Sequence, residues 1–339
     1  MKSNSLRFII LLFISCNALA VNDDSILSDD PPNRLSEFNF FSDPMNHLPN
    51  ENVVPYDLIT PLFTDYADKH RFVYVPNGMT AEFNGDEVFE FPIGAALIKT
   101  FSYQKADGDE LLLETRLLLH KADGWDALTY VWNTDQDDAY LALGGKTIDV
   151  KNVLTPSNSS YIRYRAPNKN QCKECHLKND EVEPIGPKPR NINKQLVYLD
   201  GIRRNQINHW AAIGILQKSD YTNDLMIDAF DENYDLSLRA RSYLDINCGH
   251  CHSPEGSANS SGLYLSIDDK NYGVYKKPVA AGRGSGGLSY SIVPGHPEES
   301  ILLYRMLSNE PDVMMPESGR TLMHAEAISL MREWISEMK

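Results

Sequence analysis

The sequence predicts an α+β, multidomain fold. A β-rich, sandwich- or barrel-like domain over residues 51–165 is followed by two mainly α-helical units, 166–235 and 236–339. Three observations predict it. Short runs of β-branched and aromatic residues, separated by turn residues, fill the first region. Helical periodicity replaces them afterwards. Each later unit carries one copy of C-x-x-C-H: Cys172-x-x-Cys175-His176 in the first, Cys248-x-x-Cys251-His252 in the second. With 42% hydrophobic and 10% aromatic residues, a chain of 339 residues can bury more than one core.

Residues 1–20 read as an export signal. Lys2 and Arg7 are its positive end, 8–14 its apolar core, and Ala18-Leu19-Ala20 a small-x-small cleavage site that leaves Val21 first. The apolar run is too short for a retained membrane helix. Cys16 offers a competing reading, because Phe13-Ile14-Ser15-Cys16 resembles a lipobox whose cysteine would be lipidated. The expected location is therefore periplasmic, with an envelope lipoprotein anchored through Cys16 as the alternative. Residues 21–50, broken by Pro31, Pro32, Pro44 and Pro49, read as an irregular lead-in whose Phe38, Phe40 and Phe41 dock on the next unit.

In 51–165 the expected strands are 71–75, 88–91, 96–103, 111–119, 128–132 and 161–164. Glu114 and Arg116 read as an ion pair on the sheet surface. Asp57, Asp65, Asp68, His70 and His120 read as structural. The chain shows no Ser/His/Asp motif, no phosphate-cradling loop and no H-E-x-x-H. The Gly-rich stretch 282–287 lacks the strand–Gly–helix context of a phosphate binder. A formal charge of −15 repels phosphate backbones, which argues against nucleic acid as a partner.

The spacing C-x-x-C-H is that of c-type haem attachment. Two thiols three positions apart can each form a thioether to a porphyrin vinyl group, and the following histidine can then ligate the iron. A single zinc site built from both C-x-x-C pairs is the competing reading, weakened by the histidine after each pair. Expected cofactors are thus two covalently attached haem c groups with their iron, held by Cys172, Cys175 and His176 and by Cys248, Cys251 and His252. Residues 205–216 read as an amphipathic helix in a haem wall. His209 and Met226 are the only candidates between the two motifs for the sixth position of the first iron. Pro187 is the candidate carbonyl acceptor for the second ring nitrogen of His176. In the last unit, helices are expected over 236–246, 298–307 and 324–338. Met315, placed before Pro316, is the candidate sixth ligand of the second iron, preferred over Met314.

With those residues in view, the last unit resembles a class I cytochrome c domain through Cys248-x-x-Cys251-His252, Met315-Pro316 and the helix carrying Trp334. The mature chain resembles an uncharacterised family of bacterial dihaem c-type cytochromes. The similarity runs through YDLITPLF (56–63), FPIG (91–94), ETR (114–116), PIGP (184–187), NQ (205–206) and RARSYLDIN (239–247). It implies two cytochrome c-like haem units and an exported electron carrier. The partners would be redox proteins, such as a basic cytochrome or a dehydrogenase, with membrane contact only through a lipidated Cys16. Two alternatives remain open: a dihaem peroxidase-type enzyme with an open position at the first haem, and a cytochrome whose β-rich region docks a partner or ligand.

Overall fold

The structure is a computed structural model. It describes residues 20–156, 161–221, 226–270, 278–279 and 282–339, so the export signal and Cys16 lie outside it. In chain order, α1 (Asp23–Leu27) precedes a hairpin of β1 (Phe41–Asp43) and β2 (Leu48–Pro49). Then come β3 (Val53–Tyr56), β4 (Asp68–Tyr74), β5 (Ala96–Gln104), β6 (Glu110–Lys121), β7 (Gly124–Trp132) and β8 (Ala139–Leu141). These six make one antiparallel sheet in sequential order, β3-β4-β5-β6-β7-β8. A second hairpin, β9 (Lys146–Lys151) with β10 (Tyr161–Ala166), forms a two-stranded sheet of its own.

The sheet is an open meander rather than the expected sandwich or barrel, since β3 and β8 are edges with no strand closing them. The β9–β10 hairpin covers part of it, packing Val150, Ile162 and Tyr164 on Phe101, Tyr103, Leu113 and Val131, and the rest is covered by segments that are not strands. On one face Phe72, Tyr74, Ile98, Leu117 and Leu128 pack against Ile26, Leu35, Phe38 and Phe40 of the lead-in. On the other, Val54, Val73 and Leu97 pack against Ile192, Ile207 and Trp210 from beyond residue 166. Both faces are buried because neighbouring segments fold over them. The strands accordingly carry apolar residues on both sides, as Leu117, Leu118 and Leu119 illustrate.

After β10 the chain runs through α2 (Lys169–His176), β11 (Leu177–Lys178), β12 (Glu181–Val182), α3 (Pro189–Ile192), β13 (Gln195–Val197), β14 (Arg203–Asn205) and α4 (Gln206–Ala212). Then follow α5 (Leu236–Leu244), α6 (Ile301–Met306) and α7 (Ala325–Glu337). The expectation of two mainly α-helical cytochrome c-like units is overturned. The first such stretch holds helices of 8, 4 and 7 residues and two two-stranded sheets. The second holds helices of 9, 6 and 13 residues, with loops and short 3-10 turns between them. Proline contributes to the shortness, because Pro184, Pro187, Pro294 and Pro316 lie between the helices and cannot donate to a hydrogen-bond ladder, whereas Pro189 and Pro297 occupy first helical turns. The expected strand at 88–91 is likewise reduced to an isolated bridge between Glu82 and Glu90. Among the described residues, no helix is long and apolar enough to cross a membrane.

Candidate functional site

Each C-x-x-C-H motif opens onto its own cavity. Helix α2 starts at a capping box: Asn168 accepts from Gln171 N–H and Gln171 from Asn168 N–H, at 2.9 and 3.1 Å. One helical turn later Cys172, Cys175 and His176 face a cleft that is walled on another side by Leu97, Ile98, Leu117 and Leu128 of the sheet. The second motif follows α5, capped by Asp235, through a widened π turn over Asp245–Gly249. Asn247 pins that turn, accepting from Phe63 N–H at 2.8 Å and donating to Tyr243 O at 3.1 Å. Cys248 and His252 face a largely apolar cavity of about 850 Å³, whose lining includes Leu265, Leu302 and Met306.

Both histidines are prepared as neutral nitrogen ligands. His176 Nδ1 lies 2.7 Å from Glu183 O, and a carbonyl only accepts, so Nδ1 carries the proton and Nε2 keeps its lone pair. Glu183, not the expected Pro187, supplies this carbonyl; Pro187 O instead receives Phe89 N–H. The β11–β12 hairpin turns the chain back and brings Glu183 under the ring, which a rule based on sequence distance does not capture. His252 Nδ1 lies 3.1 Å from Ser261 Oγ. Burial lowers His176 to about 3 and His252 to about 4, so both rings are neutral at physiological pH.

Met315 lines the same cavity as Cys248 and His252. Its loop is clamped by Arg320, which is buried and donates to the carbonyls of Met315, Leu322 and Ser308 at 3.1, 3.2 and 2.7 Å. His324 also lines this cavity, with its ring stacked on Phe63 at 4.0 Å and its Nδ1 3.2 Å from Tyr243 Oη. His209 and Met226 do not line the first cavity. His209 packs on Tyr198 at 4.0 Å, and Met226 is buried beside Arg190. Nor does α4 form a haem wall: Ile207 and Trp210 are spent on the sheet.

The wall of the first cavity carries five cations, Lys69, Arg71, Lys99, Arg116 and Arg320, and no carboxylate, in a chain of net charge −15. Three of them stand in register on adjacent strands, since Arg71 pairs with Lys99 across β4–β5 and Lys99 with Arg116 across β5–β6. Like charges placed directly opposite are destabilising. Arg71 is relieved by Asp57 and Arg116 by Glu114, whose side chain is wholly buried and not on the surface as expected. Lys69 donates to Ala67 O and Lys99 sits 5.2 Å from the Phe101 ring, and among the described residues neither is ion-paired with a carboxylate. Burial and the neighbouring guanidinium groups hold Lys99 down at about 7. Burial holds Lys69 well below the ordinary lysine range too, so an anion entering the cavity would meet two amines ready to take up protons.

This donor set fits a c-type haem. The first cavity presents Cys172, Cys175, a neutral His176 with Nε2 free and two lysines able to meet two propionates, and the second presents Cys248, a neutral His252 and Met315, while Cys251 lies beside Cys175 and His250. The four cysteines of the two motifs are unpaired. They do not converge on one point as a four-cysteine zinc site requires: Cys172 and Cys248 face different cavities. Only Cys175, Cys251 and His250 lie together, and His250 Nδ1 is buried without a hydrogen-bond partner.

The two cavities share a wall. Phe63, Asn247, Pro316 and Arg320 line both. The motifs themselves touch, since Ser257 Oγ and Cys251 Sγ donate to Glu174 O at 2.8 and 3.4 Å. The chain matches no protein-family model, no curated protein and no solved structure. Sequence reasoning missed the cations and Glu183. The alternation of Lys69 and Arg71 on one strand was the available signal for the former, but their register with Lys99 and Arg116 was not.

Proposed function

We propose that the chain is an exported dihaem c-type cytochrome that transfers electrons between redox partners in the bacterial cell envelope. One observation carries the reading: the histidine of each C-x-x-C-H lines a cavity beside its motif, and the Nδ1 of His176 is tied to the Glu183 carbonyl, which leaves Nε2 for an iron. Cys172, Cys175 and His176 would hold one haem c, and Cys248, Cys251 and His252 the other, with Met315 the candidate sixth ligand of the second iron. Haem supplies a ferrous–ferric couple. The protein's part is to exclude water, to neutralise the propionates through Lys69 and Lys99, and to keep both imidazoles in one tautomer. The shared wall of Phe63, Asn247, Pro316 and Arg320 favours transfer between the two sites inside one molecule. The sheet belongs to this assembly, because Leu97, Ile98, Lys99, Arg116 and Leu117 line the first cavity.

A specific observation favours a second reading. Neither His209 nor Met226 lines the first cavity, which leaves the sixth position there without its expected donor. An enzyme of the dihaem peroxidase type would use such an opening.

The test is production in a host that matures c-type haem. Acid–acetone should leave colour on the protein, mass should show two haems, and Cys172→Ala with Cys175→Ala should leave one. Colour extracted by acid–acetone, or zinc bound across Cys175, His250 and Cys251, would remove the proposal. A ferric high-spin component that binds cyanide and turns over peroxide selects the enzyme; two low-spin, inert haems select the carrier.

A further inference from the structure

On the face of β4 opposite Lys69 and Arg71, a second cluster of donors has no part in the haem reading. His70 points to that face because strand side chains alternate. His47 reaches it from the β1–β2 turn, where its backbone adopts the left-handed φ of 52°. Glu110, the first residue of β6, sits between them, with Oε2 2.8 Å from His47 Nε2 and Oε1 2.7 Å from His70 Nε2. The two imidazoles lie face to face, 3.5 Å between centroids and 18° between planes. The ligand atoms of all three residues lie within 4.8 Å of one another.

We propose that His47, His70 and Glu110 form a binding site for a divalent transition-metal ion. Two aromatic nitrogens and one carboxylate select zinc, copper or nickel over magnesium and calcium, which prefer oxygen-only shells. The side chains are 15%, 33% and 18% exposed, so an ion can reach them from solution and keep water in its remaining positions. That arrangement differs from a closed four-ligand structural site. Neutral imidazole is the form that binds metal. An ion would take Nε2 of each ring, whose proton would move to Nδ1, and would replace the two N–H groups as the partner of Glu110. Asp68 lies two residues before His70 on the same face of β4. Ser102 donates to Glu110 and holds the carboxylate in place. The left-handed backbone at His47, uncommon outside glycine and asparagine, is maintained to bring its ring to this point.

The experiment titrates chelator-treated, haem-loaded protein with Zn2+ by calorimetry and with Cu2+ by electron paramagnetic resonance. Wild type should take up one saturable equivalent of Zn2+ and show hyperfine splitting from two nitrogens on Cu2+. His47→Ala, His70→Ala and Glu110→Gln should each weaken uptake at least ~10-fold, whereas His209→Ala should not. Absence of a saturable equivalent in the wild type, or uptake unchanged in the three variants, overturns the proposal. So does uptake lost only on His250→Ala, which would place the ion between the haem motifs instead. The wild-type titration decides even where a variant fails to fold.

Discussion

Lys99 offers the most direct test of the claim that the first cavity is built around an anion. In the chain without its prosthetic groups, burial and the flanking Arg116 and Arg71 lower Lys99 from 10.5 to about 7. At about 1.4 kcal/mol per pH unit this corresponds to a ceiling of about 5 kcal/mol. Lys99 is half-buried, and solvent at the cavity mouth reduces the expected effect to roughly 2–4 kcal/mol. The sign follows from linkage. Between pH 7 and 10.5 the unfolded chain holds the Lys99 proton and the folded chain does not, so stability rises with pH across that window. Below about 7 the penalty is fully present, because the folded chain must bury the charge. Lys99→Met, similar in length and without charge, removes it. Produced in a host that does not mature c-type haem, the variant should resist urea better than wild type at pH 6–7, with the two converging by pH 10–11. In the haem-loaded protein the order should invert at pH 7, because the propionates give the ammonium its partner. Parallel stability curves for wild type and variant across this window would refute the reasoning. So would a variant that loads haem with unchanged stability.

Met315→Ala should abolish the sulfur-to-iron absorption band near the red edge and lower the potential of the second haem; both unchanged would point to His324 as the ligand instead. Arg320→Leu should let the Met315 loop open, so that the same band fades at a lower temperature than in wild type while the Soret band persists. Trp210→Ala should cost about 3–5 kcal/mol in urea denaturation, because its ring is fully buried between Tyr56 and Phe89. A loss under about 1 kcal/mol would mean that α4 does not anchor to the sheet.

Much of the local structure was legible in the chain. The β-branched and aromatic runs at 96–103 and 111–119 lie within β5 and β6, the run at 71–75 overlaps β4 except for Val75, and the periodic runs at 236–246 and 324–338 contain α5 and α7. The two C-x-x-C-H motifs were legible because each is contained in five consecutive residues. What could not be read was anything that depends on one segment covering another. Periodicity near residue 207 correctly signals a buried helix face, but it does not say that the face meets a sheet more than a hundred residues earlier. Glu114 and Arg116 looked like surface partners because two residues on one strand face imply nothing about what lies above them.

The sequence by itself determined where the two C-x-x-C-H motifs lie, the sheet-forming strands and the capped helices that carry each motif, since all of these depend on neighbours a few positions apart. Only the tertiary structure decided which carbonyl holds His176, which cations face the first cavity, and that the two cavities back onto one wall. Those features arise from contacts between segments far apart in the chain, such as Asn247 with Phe63 and Arg71 with Lys99 and Arg116, and hydrophobic burial, being non-directional, leaves no local record of which distant surfaces it will bring together.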